Sequence, residues 1–204
     1  MKKGEAEEVR RPYRMGARAE AVAATGRRIL EATIDLGPEL LSDQATLDDV
    51  AARSGVTVQT VLRRFGSKEG LISAAAEEVR ARVWSQRNEA PVGDIGGAVR
   101  NLVEHYEETG DNTLRMLAHE DKYPAIRVHT DQGRAGHYQW VERTFAPFLE
   151  LRSGRERERL RGALISTCDL YTWKILRRDL GLGREQTELA LVEMLTALVQ
   201  RGES

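Results

Sequence analysis

The chain has 204 residues, with 31 Lys+Arg against 32 Asp+Glu and a net charge of −1 at pH 7. That length predicts one large domain or two small ones with core enough to fold without staples, and a hydrophobic content of 41% excludes a disordered chain. A lone cysteine, Cys168, excludes an internal disulfide. No apolar run approaches the roughly 18 residues of a membrane span and no apolar leader opens the chain, so a soluble, cytoplasmic protein without a membrane partner is expected.

Ala, Leu, Glu and Arg make up nearly half of the sequence, and β-branched and aromatic residues form no alternating runs. The expected class is all-α. Residues 1–24 are polar and basic, with Arg10, Arg11, Arg14 and Arg18, and read as a flexible arm. Ile29, Leu30, Thr33, Ile34 and Leu36 then recur at helical spacing up to Gly37-Pro38. Three shorter helical segments follow within 46–84, broken at Ser54-Gly55 and Gly66-Ser67, so that 25–84 forms a small domain of three short helices and more. Asn88, Pro91, Gly93, Gly96 and Gly97 read as a linker. A larger helical domain, 85–204, is expected to hold helices near 94–109, 113–120, 124–150, 155–180 and 184–201.

The stretch from Thr46 to Phe65 has the grammar of a helix-turn-helix. Thr46 and Asp49 have the spacing of a capping box. Leu47, Val50 and Ala51 share one face, and the small Ala51 admits a close helix crossing. Gly55 stands where the turn needs a positive φ, Thr57 caps the second helix, and Val61 and Phe65 bury it. Its other face carries Val58, Gln59, Thr60, Leu62, Arg63 and Arg64. Helical hairpins with a glycine turn also occur in proteins that never touch DNA, but the charge here is segregated. Arg53, Arg63, Arg64 and Lys68 lie in a stretch with no acid, and from Arg10 to Arg28 the only acid is Glu20. A solvated face ordinarily mixes signs. Clustered charge makes a DNA footprint even when the net charge is near zero.

From Arg28 to Ala75 the sequence resembles the tetracycline-repressor (TetR) family of transcriptional regulators. The matching motifs are Ile29-Leu30-Glu31-Ala32, Thr46-Leu47-Asp48-Asp49-Val50-Ala51, Gly55-Val56-Thr57, Thr60-Val61-Leu62-Arg63-Arg64-Phe65 and Ser67-Lys68-Glu69-Gly70-Leu71. Two departures stand out: Leu62 occupies a position where the family usually has Tyr, and Gln59 one where a small residue is common. Gln can read adenine through two hydrogen bonds, which makes Gln59 the candidate base reader. Thr46 and Lys68 begin helices, where amides and dipole favour a phosphate. Arg63 and Arg64 reach phosphates or guanine, and Val58 and Thr60 meet thymine methyls. With Thr57 and Leu62, these residues form the expected DNA-binding set.

The resemblance also implies a helical C-terminal domain that binds a small effector and dimerises through its last two helices. The residues suit this. Leu160, Leu164, Cys168, Tyr171 and Ile175 fall three or four apart, and the segment from Leu189 to Val199 is apolar on nearly every side, as a helix covered by a second subunit would be. Leu164, Tyr171, Leu191, Leu195 and Leu198 are therefore the expected homodimer interface. A twofold dimer would read a pseudo-palindromic operator in double-stranded DNA. For the effector, the segment 105–148 gathers aromatics and histidines; Tyr106, Met116, His119, His137, Trp140 and Phe148, with Cys168 and Trp173, are the candidate pocket. Aromatics at helical spacing are more often plain core, and that reading stays open.

His119-Glu120-Asp121 has metal-binding residue types, but no two histidines stand at i and i+4, so no metal or other cofactor is expected. No nucleophile elbow, P-loop or dinucleotide fingerprint occurs, so an enzyme is not expected. The reading is a homodimeric DNA-binding regulator, a repressor by resemblance. The rival is a helical ligand-binding or enzymatic protein whose helix-turn-helix is only scaffold.

Overall fold

The computed structural model describes the backbone of residues 5–200 and the side chains of residues 20–200. The described residues are helical and contain no strand, as the composition predicts. They fall into two compact units, Met1–Val79 and Arg80–Ser204.

The first unit contains α1 (Glu5–Asp35), α2 (Gly37–Leu41), α3 (Leu47–Ser54), α4 (Val58–Phe65) and the first half of α5 (Lys68–Asn88). The backbone of α1 runs back through the segment expected to be an arm. The side chains of Arg10, Arg11, Arg14 and Arg18 lie outside the described residues. Ile29, Leu40, Val50, Val61 and Leu71, each fully buried, come one from each helix and close a single core. Pro38 in the first turn of α2 begins that helix with a ring that needs no amide partner.

The second unit holds the rest of α5, then α6 (Ile95–His119), α7 (Pro124–Thr144), α8 (Ala146–Glu150), α9 (Gly154–Thr167), α10 (Leu170–Lys174), a π-helical turn (Ile175–Asp179) and α11 (Arg184–Gln200). Its core is built on α6, whose Val99, Leu102, Val103 and Tyr106 pack with Trp140 and Val141 of α7, Leu164 of α9, Trp173 of α10, and Leu191 and Leu195 of α11.

Three expected boundaries move. Residues 94–109 and 113–120 are one helix, because Gly110 is no stop: a Cβ there would lie 2.7 Å from Cζ3 of Trp173, so glycine serves close packing inside the helix. The expected helix 124–150 divides at Phe145, with Pro147 in the first turn of α8. The expected helix 155–180 breaks after Thr167, where Asp169 accepts the Tyr171 amide at 2.8 Å and starts a new helix. The spacing of Leu160, Leu164 and Cys168 therefore does not continue through Tyr171 and Ile175, which are 52% and 50% exposed. The linker is a short ordered turn. Asp94 caps α6 by accepting the Gly97 amide at 3.0 Å, and Gly93, at φ 81°, donates to the Thr144 carbonyl at 2.9 Å.

Candidate functional site

In the first unit the turn between α3 and α4 is built as its residues dictate. The Asp49 carboxylate accepts from both the amide and the hydroxyl of Thr46, each at 2.8 Å. Those two bonds, the backbone one foremost, hold the Asp49 carboxyl below its ordinary range. Gly55 adopts φ 69° and ψ 39° and donates to the Ala52 carbonyl, while the Val56 amide donates to the Ala51 carbonyl at 3.0 Å. Thr57 then caps α4, its hydroxyl accepting the Thr60 amide at 3.2 Å and meeting the Thr60 hydroxyl at 3.0 Å.

Val61 is fully buried and Val58 and Phe65 pack beside it, which turns the opposite side of α4 outward. Gln59 and Arg63, one helical turn apart, are exposed there together. Leu62 is 38% exposed beside them, where it presents an apolar surface but no hydrogen bond donor. Among the described residues Arg63 has no carboxylate partner. An exposed amide and guanidinium on one face of a short helix match the requirements of base-edge and phosphate contact.

Other expected members of the set are engaged elsewhere. Arg64 turns back onto α1: its Nη1 donates to the Val22 carbonyl at 3.1 Å, and its guanidinium lies over Gly26, where any side chain would collide with it. It fastens α4 to α1. Lys68 pairs with Asp43 at 2.7 Å, and Asp43 itself has a positive φ of 57°. Thr46 is exposed, but both of its donors are committed to Asp49, whose negative charge already occupies the start of α3. Val58 is half-buried in the core cluster. Arg27 and Arg28, absent from the expected set, are exposed on α1 and line with Arg53, Glu31 and Asp35 a concave surface between α1 and α3. The run of positive charge up to Arg28 was the signal that pointed to them.

In the second unit five of the eight candidate pocket residues come together and fill the interior. Tyr106 donates to the Cys168 carbonyl at 3.0 Å and lies 5.8 Å from the ring of Trp173. The Trp140 indole donates to the Arg87 carbonyl at 3.1 Å, and His137 stacks near Trp140 while its Nε2 meets the Ile165 carbonyl at 3.1 Å. Phe148 is partly buried at the rim of this core. Met116 is also only partly buried, and His119 is exposed at the end of α6, edge-on to Tyr123; neither joins the cluster. Glu120 and Asp121 pair with Arg134 and Arg127, and no cluster of three metal-ligand side chains occurs among the described residues. The sequence reading missed Arg87, whose Cζ sits 3.8 Å from the ring centre of Trp140. An arginine in the last turn of a helix ordinarily reads as a solvated partner of the helix dipole.

The expected interface residues need correction. Leu164, Leu191 and Leu195 are at most 1% exposed within a single chain and have no surface to offer a partner. Leu198 is half-buried and Tyr171 exposed. The outward side of α11 is instead marked by Leu189 and Met194, 49% and 37% exposed. Met194, Ala197 and Leu198 line a shallow groove with Thr167 of α9. Among the described residues no helix is long and apolar enough to cross a membrane.

Residues 42–75, which hold α3, the turn, α4 and the start of α5, match the family described as bacterial regulatory proteins, tetR family. No curated protein gives a match. Among solved structures, a transcriptional regulator from Rhodococcus sp. Rha1 superposes with a TM-score of 0.58 at 18% identity, over 86% of this chain and 96% of that one, a likeness of fold. Residues 42–75 thus form a helix-turn-helix segment similar to the DNA-binding segment of the tetR family of bacterial regulatory proteins.

Proposed function

We propose that the chain acts as a homodimeric repressor that binds a pseudo-palindromic operator and is released by a small-molecule effector held in the second unit. The observation that carries this reading is the exposed pair Gln59 and Arg63 on a capped helix, with no acidic residue from Arg53 to Lys68. Reading by one short helix gives few base contacts, so a twofold pair of such helices one turn of DNA apart supplies the affinity a single one lacks. The outward face with Leu189, Met194, Ala197 and Leu198 is the proposed dimer surface, replacing the buried leucines. α5 begins in the first unit and ends in the second, so the helix that ends near the effector's proposed unit is the one that begins with Lys68.

Double-stranded fragments selected from a random pool, then titrated at several salt concentrations, test the reading. Expected are a two-half-site consensus, two chains per site, and affinity that falls steeply with salt. Binding without sequence preference would instead favour the helical ligand-binding or enzymatic protein with a scaffold helix-turn-helix. Removing residues 1–20 is expected to weaken binding and flatten the salt slope, by loss of Arg10, Arg11, Arg14 and Arg18.

A further inference from the structure

The interior of the second unit contains an arginine to which no carboxylate is bonded: Asp169, the acid whose charge reaches Tyr106, His137 and Cys168, is engaged with the Tyr171 amide. Arg87 is 6% exposed, and its Nη1 is buried without a hydrogen bond partner. Its Nη2 faces Nδ1 of His137 at a long 3.5 Å. The Tyr106 hydroxyl donates to the Cys168 carbonyl and turns its oxygen toward the guanidinium, an acceptor that brings no charge. Guanidinium keeps its proton in proteins. Burial raises the proton affinity of Tyr106 and lifts the Cys168 thiol to about 12, so both are neutral at pH 7 and supply no counter-charge. Arg143 adds positive charge, and its own donors are taken by the Arg87 carbonyl at 2.7 Å and Asn88 Oδ1 at 2.6 Å.

Four other arginines of the unit behave otherwise. Arg177 pairs with Glu107, Arg178 with Asp111, Arg134 with Glu120, and Arg161 with Glu142. Stacking on Trp140 offsets part of the desolvation of Arg87, yet a ring face cannot satisfy in-plane N–H groups. His105 and His137 are the less completely buried members of this cluster.

We propose that Arg87 anchors the carboxylate of a small monoanionic effector. One uncompensated charge fits one negative charge. Nδ1 of His137, an acceptor when Nε2 donates to the Ile165 carbonyl, orients the guanidinium without contributing charge. A dianionic phosphate would leave a second charge unmet, because Arg143 is spent on backbone and Asn88. The anchor names the chemical class of the effector and so rests on the effector reading above, while its test stands apart from DNA.

The test compares acids with their amides on the full chain: benzoate against benzamide and octanoate against octanamide, with inorganic phosphate as a third arm. Readouts are unfolding temperature and tryptophan fluorescence. Expected are stabilisation and fluorescence change by at least one of the two acids, with its amide and phosphate weaker by roughly tenfold or more. Arg87→Met is expected to lose the acid response, and Arg87→Lys to keep the preference at weaker affinity. If Arg87→Met fails to fold, the acid–amide comparison and the Lys variant decide. Equal response to acid and amide, phosphate as the strongest ligand, no response to any of them, or an Arg87→Met chain that responds like the native one would overturn the proposal. Operator binding measured in parallel separates the two readings. Acid preference without DNA binding removes the regulator and keeps the anion site, and DNA binding without acid preference does the reverse.

Discussion

Arg64 donates to the carbonyl of Val22 at 3.1 Å, 42 residues away along the chain, while its neighbour Arg63 projects from α4 with no carboxylate partner among the described residues. Two adjacent arginines thus have different employments. Arg63→Ala is expected to weaken DNA binding across all sequences and reduce the salt slope by about 1, with unfolding unchanged. Arg64→Ala is expected to cost about 1 kcal/mol in stability through the lost tie between α4 and α1. Paired titrations and denaturant curves distinguish them; a salt slope unchanged in Arg63→Ala would remove that residue from the interface.

Leu195 and Met194 separate core from surface in the same way. Leu195 is fully buried, so Leu195→Ala is expected to cost about 2–5 kcal/mol in unfolding free energy within each chain. Met194→Asp adds a charge to the proposed dimer face and is expected to give monomers by light scattering, each protomer keeping its helical content. A dimer that survives Met194→Asp places the interface elsewhere.

Gly110→Ala tests the close approach of α6 and α10. The added methyl would stand 2.7 Å from the Trp173 ring, whose indole is further fixed by Glu107 at 3.2 Å. Overpacking of this kind costs about 1–3 kcal/mol, more than the roughly 1 kcal/mol that alanine gains in a helix interior. The expected outcome is a net loss of stability in thermal unfolding, and a gain would show that Trp173 moves freely.

Stability should fall in mild acid. Burial first, and then the neighbouring charges of Arg87 and His137, push His105 from 6.5 down to about 3, so it stays neutral in the folded chain and protonates in the unfolded one. The unfolded state then binds more protons between those two values, and stability drops as pH falls through that window. At pH 5 the contribution of His105 is on the order of 2 kcal/mol. His137, also held down mainly by burial, adds in the same direction. Urea unfolding at pH 7.5 and pH 5 is the measurement; His105→Gln is expected to flatten the difference whatever its effect at neutral pH.

The helix-turn-helix was legible in the sequence because its signals are local: Thr46 with Asp49, Gly55, and Thr57 lie within a few residues of the partners that explain them. The second unit was less legible because its determinants act over long separations. Residues 94–109 and 113–120 read as two helices until Gly110 is seen packed against Trp173, and Cys168 looks like one more residue on a helical stripe until Asp169 restarts the chain. Apolar periodicity on α11 gave the right helix, yet it does not tell a face buried by α6 and α9 from one awaiting a partner. The commitments of Arg64 to Val22 and of Lys68 to Asp43 depend on elements 42 and 25 residues away.

If α4 reads base edges, Gln59 is the residue whose loss changes the sequence preference. The native chain and Gln59→Ala are titrated by fluorescence anisotropy against the selected operator and its single-base variants at fixed salt. Gln59→Ala is expected to lose about 1–3 kcal/mol at the cognate site and its preference at one adenine position per half-site, with non-specific affinity unchanged. A variant with the native sequence preference at every position, or a native chain that does not distinguish operator from random DNA, would contradict it.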